Sequence, residues 1–316
     1  MLYAVYDLDC SPVSYDFAHF LASAFEAAKD RKVHVVVCPG NNNGWRTNDH
    51  KPITDEEREW RLTHILVPLA KMCGMGITLA MSRMDAAMIV RGADVFPPEW
   101  AFNRPIQGYR TKPLNECVPL WNGLGMSASC RAKQFVSDWV ETWLPGNGPL
   151  VTITLRETHT PTRNSTLEAW ASAANTLVNL GHRVAIIRDT EKAGQALHGW
   201  PGMSQTCQAA AIDLDVRLAL YEKATVNAGR NGGPMTLLFM ANLPYLIWGV
   251  LAQPYKDEQG RQHFVPTPAL MKSFGLPVGE QLHHSPHQRF LWEEDWSSDQ
   301  IVTEMVAAAN SLRLAA

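Results

Sequence analysis

Four arginines, Arg156, Arg163, Arg188 and Arg230, stand in polar stretches just behind short apolar runs. A guanidinium keeps its charge at every working pH and grips phosphate through parallel N–H bonds, so arginines at strand ends suit a diphosphate. Arg188 has an acid beside it in Asp189 and reads more simply as an ion pair. Arg230 opens the stretch Asn231-Gly232-Gly233-Pro234-Met235, after which the chain is apolar to Leu243. Glycine lets backbone N–H groups converge, and proline is pre-set for the first position of a helix. Such a turn forms an anion site at a helix N-terminus. Arg156, Arg163, Arg230, Asn231, Gly232, Gly233, Pro234 and Met235 are therefore the expected phosphate-binding set. The turn lacks the Gly-Lys-Ser/Thr of a P-loop and the G-x-G-x-x-G of dinucleotide folds. Taken alone, it equally fits a plain strand-to-helix connection.

Acid–base chemistry has candidates near the start, in Asp7, Asp9, Asp16 and His19. Asp9 lies in the first strand-to-helix loop, where a base could take a proton from a substrate hydroxyl. Asp16 comes second, since an acid in the first turn of a helix also serves the dipole alone. His159 is a lone loop histidine. His283, His284 and His287 are interrupted by Ser285-Pro286, and no cysteine or acid at metal-ligand spacing joins them. Asp7-Leu8-Asp9 and Asp213-Leu214-Asp215 match only the letters of a metal-binding Asp-x-Asp. No metal and no cofactor is expected. No G-x-S-x-G elbow occurs, so the commonest hydrolase signature is missing.

Strands and helices must present these groups. Leu2 to Leu8, Lys32 to Cys38 and Met75 to Met81 read as strands. Tyr15 to Lys29 has helical spacing, and Thr54-Asp55-Glu56-Glu57 resembles a capping box before a helix to Cys73. Phe96 to Gly125 is rich in proline, glycine and asparagine and reads as irregular, anchored by Trp100, Tyr109 and Trp121. Ser129 to Trp143 is helical, and Pro145-Gly-Asn-Gly-Pro149 is a linker. Leu150 to Leu155 then starts a second series. It runs through a capping box at Ser165-Thr166-Leu167-Glu168, a strand at Arg183 to Ile187, a helix from Asp213 and strands at Thr225 to Ala228 and Tyr245 to Val250. The last helix is expected over Ser297 to Leu312. Alternating strands and helices make parallel α/β sheets, which bind ligands outside the carboxyl ends of their strands.

With 316 residues, 46% hydrophobic and 19% charged, the chain can fill two cores. A net charge of −3 gives no footprint for nucleic acid. Six scattered cysteines without a C-x-x-C pair fit reduced thiols. Met1 to Cys10 carries two acids and no basic segment, so no signal peptide is expected. The uncharged run Asn231 to Tyr255 is broken by glycines and prolines and does not read as a membrane span. A cytoplasmic protein is the expectation.

The order Val151-Thr-Ile-Thr-Leu-Arg156, Gly181-His-Arg-Val-Ala-Ile-Ile187, Ala224-Thr-Val-Asn-Ala-Gly229, Asn231-Gly-Gly-Pro-Met-Thr-Leu-Leu238 and Leu243-Pro-Tyr-Leu-Ile-Trp-Gly249 resembles the donor domain of GT-B-fold glycosyltransferases. It is most similar to heptosyltransferase-like enzymes over Val151 to Gly249. Those enzymes carry a hydroxyl residue where Gly232 stands and a histidine where Thr236 stands. The resemblance implies two Rossmann-like domains facing a cleft, with an acceptor-side domain over 1–145 and a nucleotide-sugar domain over 150–290. It also implies a C-terminal helix at 297–312 that crosses back to the first domain. The implied activity is metal-independent transfer of a sugar from a nucleotide-diphosphate donor. A nucleotide-sugar epimerase or hydrolase of the same fold, or a binding protein without chemistry, are the alternatives.

Overall fold

The structure is a computed structural model that describes residues 1–46, 53–103, 112–158, 164–197, 199–200, 204–249, 252–256, 262–283, 285–292 and 296–315. Tyr109, His159, Arg163 and His284 lie outside the described residues. The chain divides into two compact units, Met1–Met126 and Ser127–Ala316.

The first unit runs β1 (Leu2–Asp7), α1 (Phe17–Ala28), β2 (Val33–Cys38), α2 (Asp55–Arg61), α3 (Val67–Met72), β3 (Gly76–Leu79), α4 (Arg83–Ile89), β4 (Val95–Phe96) and α5 (Leu114–Leu124). Its four strands are parallel in the order β3-β2-β1-β4. The β-branched run of β2 is buried on both faces, as a strand covered by helices on either side requires. The helix expected from Thr54 to Cys73 starts where the capping box puts it, with Thr54 Oγ1 accepting from Glu57 N at 3.2 Å. It is not continuous: a π-helical turn at Leu62–Leu66, just ahead of Pro68, separates α2 from α3.

Within the stretch expected to be irregular, Leu114 to Leu124 is helical even though Pro119 sits inside it. An internal proline costs a helix about 3 kcal/mol. Here Leu114, Cys117, Val118 and Trp121 form a buried face against α1, and the Trp121 indole donates to Ala18 O at 2.9 Å. Burial of that face outweighs the proline. Gly125, left-handed at φ +62°, ends the helix.

The second unit runs α6 (Cys130–Trp143), β5 (Leu150–Thr154), α7 (Leu167–Asn179), β6 (Arg183–Ile187), β7 (Gln205–Thr206), α8 (Gln208–Ile212), α9 (Leu214–Lys223), β8 (Val226–Arg230), α10 (Thr236–Met240) and β9 (Tyr245–Trp248). Then come β10 (Ala252–Lys256), β11 (Gln262–Pro266), α11 (Pro268–Phe274), β12 (Gln288–Leu291) and α12 (Ser298–Ala315). Six parallel strands lie in the order β12-β9-β8-β5-β6-β7, and β10 and β11 form a separate hairpin. Helix α6 belongs to this unit and packs on α9, so Pro145 to Pro149 is a turn inside the unit, between α6 and β5. Helix α12 packs on α7, with Ile301, Met305, Ala308 and Ala309 buried in the same core as Val151, Ile153, Trp170 and Trp248.

No helix among the described residues is long and apolar enough to cross a membrane. Among the six thiols, Cys130 is exposed, Cys10 half-buried, and Cys38, Cys73, Cys117 and Cys207 buried. Burial pushes the Cys38 and Cys73 thiols up to about 12, so both stay protonated and unreactive at neutral pH. A thiol reagent at pH 8 should modify Cys130 first and Cys10 more slowly, and the remaining four only after denaturation. Peptide mapping after timed quenching reads this directly, and early labelling of Cys38 or Cys73 would contradict the burial.

Candidate functional site

In the second unit the chain builds β5, β6 and β7 outward in one direction, then returns to place β8 and β9 on the other side of β5. The connections leaving β5 and β8 therefore diverge, and a crevice opens between their carboxyl ends. A polar network fixes the register of these two strands. Buried Asn227 accepts from Thr152 Oγ1 at 2.7 Å and donates to Tyr221 O at 3.2 Å and Pro244 O at 3.0 Å. The Thr154 and Tyr221 hydroxyls meet at 2.9 Å, and Tyr221 Oη lies 3.9 Å from Met235 Sδ. Both amide hydrogens and the amide oxygen of Asn227 are bonded, which is what makes an amide tolerable in a strand interior.

Arg156 follows β5 and spans this crevice to the turn after β8, whereas Arg230 ends β8 with its side chain over the end of β9. Arg156 Nη1 donates to Asn231 O at 2.7 Å, and a Cβ on Gly232 would lie 3.1 Å from the same nitrogen. The glycine thus lets the turn lie flat against the guanidinium. Gly229 has a comparable constraint, since a Cβ there would come within 2.6 Å of Thr154 O. Arg230 lies across Gly249, at the carboxyl end of β9: a Cβ on that residue would be 2.1 Å from Arg230 Cζ. Gly249 is also left-handed, with φ +63°. Arg230 lines a small pocket with Thr166, Trp170, Trp248 and Trp296.

The turn differs from its expected form. Gly233–Met235 is a single 3-10 turn and α10 has only five residues, so no long helix dipole points at the crevice. Two of its N–H groups bond within the turn, Met235 N to Gly232 O at 3.1 Å and Thr236 N to Gly233 O and Pro234 O. Positive charge in the crevice comes from Arg156. The expected capping box at α7 is also absent. Ser165 Oγ accepts from Arg156 N at 2.9 Å, and Thr166, at the N-cap, makes no side-chain cap. The serine is spent on holding Arg156.

Arg188 is buried and structural. It pairs with Glu157 through Nη2 and through Nε at 2.9 Å, and donates to Gln195 O at 2.7 Å. Its partner is Glu157; the adjacent Asp189 instead accepts from Glu157 N at 2.8 Å.

In the first unit the chain reverses direction between β1 and β4, and Asp7 closes β1 beside that point. Its carboxylate is fully buried and gripped bidentately by Arg83, at 2.7 and 2.9 Å. It also accepts from Trp100 Nε1 and Asp9 N, both at 3.0 Å. Arg83 reaches Pro39 O at 3.2 Å and Phe102 O at 3.1 Å, and its pKa is raised, first by the hydrogen bonds to Asp7. One ion pair thus joins the loops after β1, β2 and β4. On this platform Asp9 is half-buried, and its Oδ1 accepts from Asn41 N at 2.7 Å. Asp16 is exposed at the N-cap of α1, with Oδ2 accepting from Ser14 Oγ at 3.1 Å. Sequence reasoning considered Asp7 only as an acid among others. The arginine that neutralises it comes from α4, a helix of 7 residues, too short to show a helical period.

Among the described residues no group of three or more His, Cys, Asp or Glu side chains is arranged to hold a metal ion. His283 Nδ1 bonds the buried Tyr245 hydroxyl at 2.9 Å, a packing role.

No protein-family model matches the chain, and no curated protein sequence matches it. Solved structures resemble it in fold. The E. coli ADP-heptose lps heptosyltransferase II is 11% identical with a TM-score of 0.51, covering 99% of this chain and 99% of that one. A glycosyl transferase family 9 protein from Veillonella parvula is 12% identical at a TM-score of 0.49, covering 100% and 97%. The E. coli heptosyltransferase WaaC with ADP is 16% identical at 0.41, covering 79% and 88%. The first of these is enough to state the fold: two parallel α/β units of the GT-B type, similar to heptosyltransferases along the whole chain.

Proposed function

We propose that the chain is a glycosyltransferase that takes a nucleotide-diphosphate sugar and needs no metal. The observation that carries this reading is the crevice between β5 and β8. Arg156 bridges it, with the Asn231–Gly232 backbone lying against its guanidinium, and Arg230 ends the adjacent strand β8 beside it. Fixed positive charge at that point would stabilise a diphosphate as it departs with its extra negative charge, the work usually given to a metal in other transferases. Arg163 and the turn residues Pro234 and Met235 complete the donor set in this reading. Asp9 is the base, because its Oδ1 is oriented by Asn41 N–H while the carboxylate remains partly exposed. Asp16 is second, being exposed and part of the α1 cap.

Titration calorimetry of the full chain with ADP, GDP and UDP tests the reading, since a transferase of this kind must bind at least one. Once a donor is found, Asp9→Asn should lower kcat by about 100-fold or more, the usual contribution of a general base, and leave donor affinity within error. Unchanged turnover in Asp9→Asn removes it as the base. No binding of any of the three nucleotides removes the function.

A further inference from the structure

Helix α7 begins without a cap. Thr166 stands at its N-cap and makes no side-chain bond there, and Leu167 N, Glu168 N and Ala169 N donate to no described group. The first intrahelical bond is Trp170 N to Thr166 O at 3.2 Å. With 13 residues the helix has a dipole whose positive end lies at these N–H groups. Thr166 and Ala169 of this end line the pocket that Arg230 borders, together with Trp170, Trp248 and Trp296. Glu168, the acid of the first turn, is exposed and does not line it.

A second donor at the same pocket also lacks a partner. Trp248 closes β9 and is 1% exposed, and its buried indole Nε1 has no acceptor among the described residues. Trp170 and Trp296 flank the ring in near-perpendicular contacts, with centroids at 5.2 and 5.8 Å, and hold the indole in place. A buried donor left unmet costs the desolvation of that group. The polar side chains around the pocket fall on one side of the hydrogen-bond ledger. Indole and guanidinium only donate, and the Thr166 hydroxyl alone can also accept. A water would bring two protons to a single accepting side chain, whereas an anion accepts from every one of these groups. The volume is about 10 Å³, room for one water-sized particle and too small for phosphate or sulfate.

We propose that this pocket binds a monatomic anion of chloride's size, held by the α7 N-terminus, Thr166, the Trp248 indole N–H and Arg230. The ion links the start of α7 to the end of β9. It stabilises the folded chain by mass action, and its binding does not depend on the nucleotide reading.

Thermal melting of the full chain tests this at constant ionic strength, with sodium gluconate replaced stepwise by sodium chloride or bromide. Gluconate is far too large for the pocket. Above the dissociation constant of the halide the midpoint should rise with the logarithm of its concentration. Trp248→Phe keeps a ring and removes the N–H. The concentration at which the rise begins should increase about tenfold or more, the loss of one hydrogen bond to a charged partner. Thr166→Val, at an exposed position, should raise it about three- to tenfold. A midpoint in the unaltered chain that ignores halide overturns the proposal, as does an onset unchanged in Trp248→Phe. If Trp248→Phe does not fold, Thr166→Val decides alone, and an unchanged onset there overturns it. Nucleotide binding enters none of these measurements, so the donor-site reading stands or falls separately.

Discussion

Arg156→Ala is expected to weaken nucleoside diphosphate binding by about 10- to 100-fold, the cost of one hydrogen-bonded charge at 1.5–3 kcal/mol. Two losses combine. The mutation removes a fixed charge from the crevice, and it frees Asn231 O, which Arg156 Nη1 holds at 2.7 Å. Arg156→Lys separates them: it keeps a charge but cannot reproduce the planar fork, so it should recover part of the affinity and none of the turn's rigidity. The remaining affinity should also depend less on salt, because one phosphate contact fewer is screened. Calorimetry at two ionic strengths checks both points. Affinity unchanged in Arg156→Ala would mean that this crevice does not hold the phosphates.

In the first unit the largest effect should come from Arg83→Met. Asp7 is fully buried, and Arg83 supplies its only counter-charge among the described residues. Breaking a buried pair from one side costs about 3–5 kcal/mol, because the remaining charge has neither water nor partner. The double variant Arg83→Met, Asp7→Leu should be less damaging than Arg83→Met alone, since no stranded charge is left. Urea unfolding of the four members of this cycle gives the coupling directly. Additive losses would show that the ion pair is a surface-like contact of little consequence. Trp100 also donates to Asp7, so its fluorescence should report the same transition.

Much of this architecture could be read in the chain. The buried strands β2 and β5 are runs of β-branched residues, and α2 begins at the threonine its capping pattern names. Local chemistry decides such elements. The misreadings occur where a side chain works over a long distance. Ser165 looked like part of a helix cap and instead accepts from Arg156 N, nine residues back in the chain. Arg188 stands next to Asp189 in the chain, but the bond that forms is to Glu157 on another loop. Helix α5 was hidden by Pro119 because propensity is local while the burial of Trp121 against α1 is not. The same holds for the site. Arg156 and Arg230 stand out as polar residues behind strands, whereas what each guanidinium touches, Asn231 O for one and Gly249 for the other, depends on contacts far along the chain.

Gly249 limits how this chain can drift. Its backbone is left-handed, a conformation in which asparagine is the usual substitute for glycine. Asparagine is nevertheless excluded, because any Cβ at this position would overlap the Arg230 guanidinium. Backbone and space together leave one admissible residue for as long as Arg230 lies where it does. A chain of this fold in which both positions have changed together would have given up that arrangement, whereas a change at Gly249 alone must turn the arginine away. Position 249 thus acts as a marker for the state of residue 230, legible in any related sequence without measuring binding.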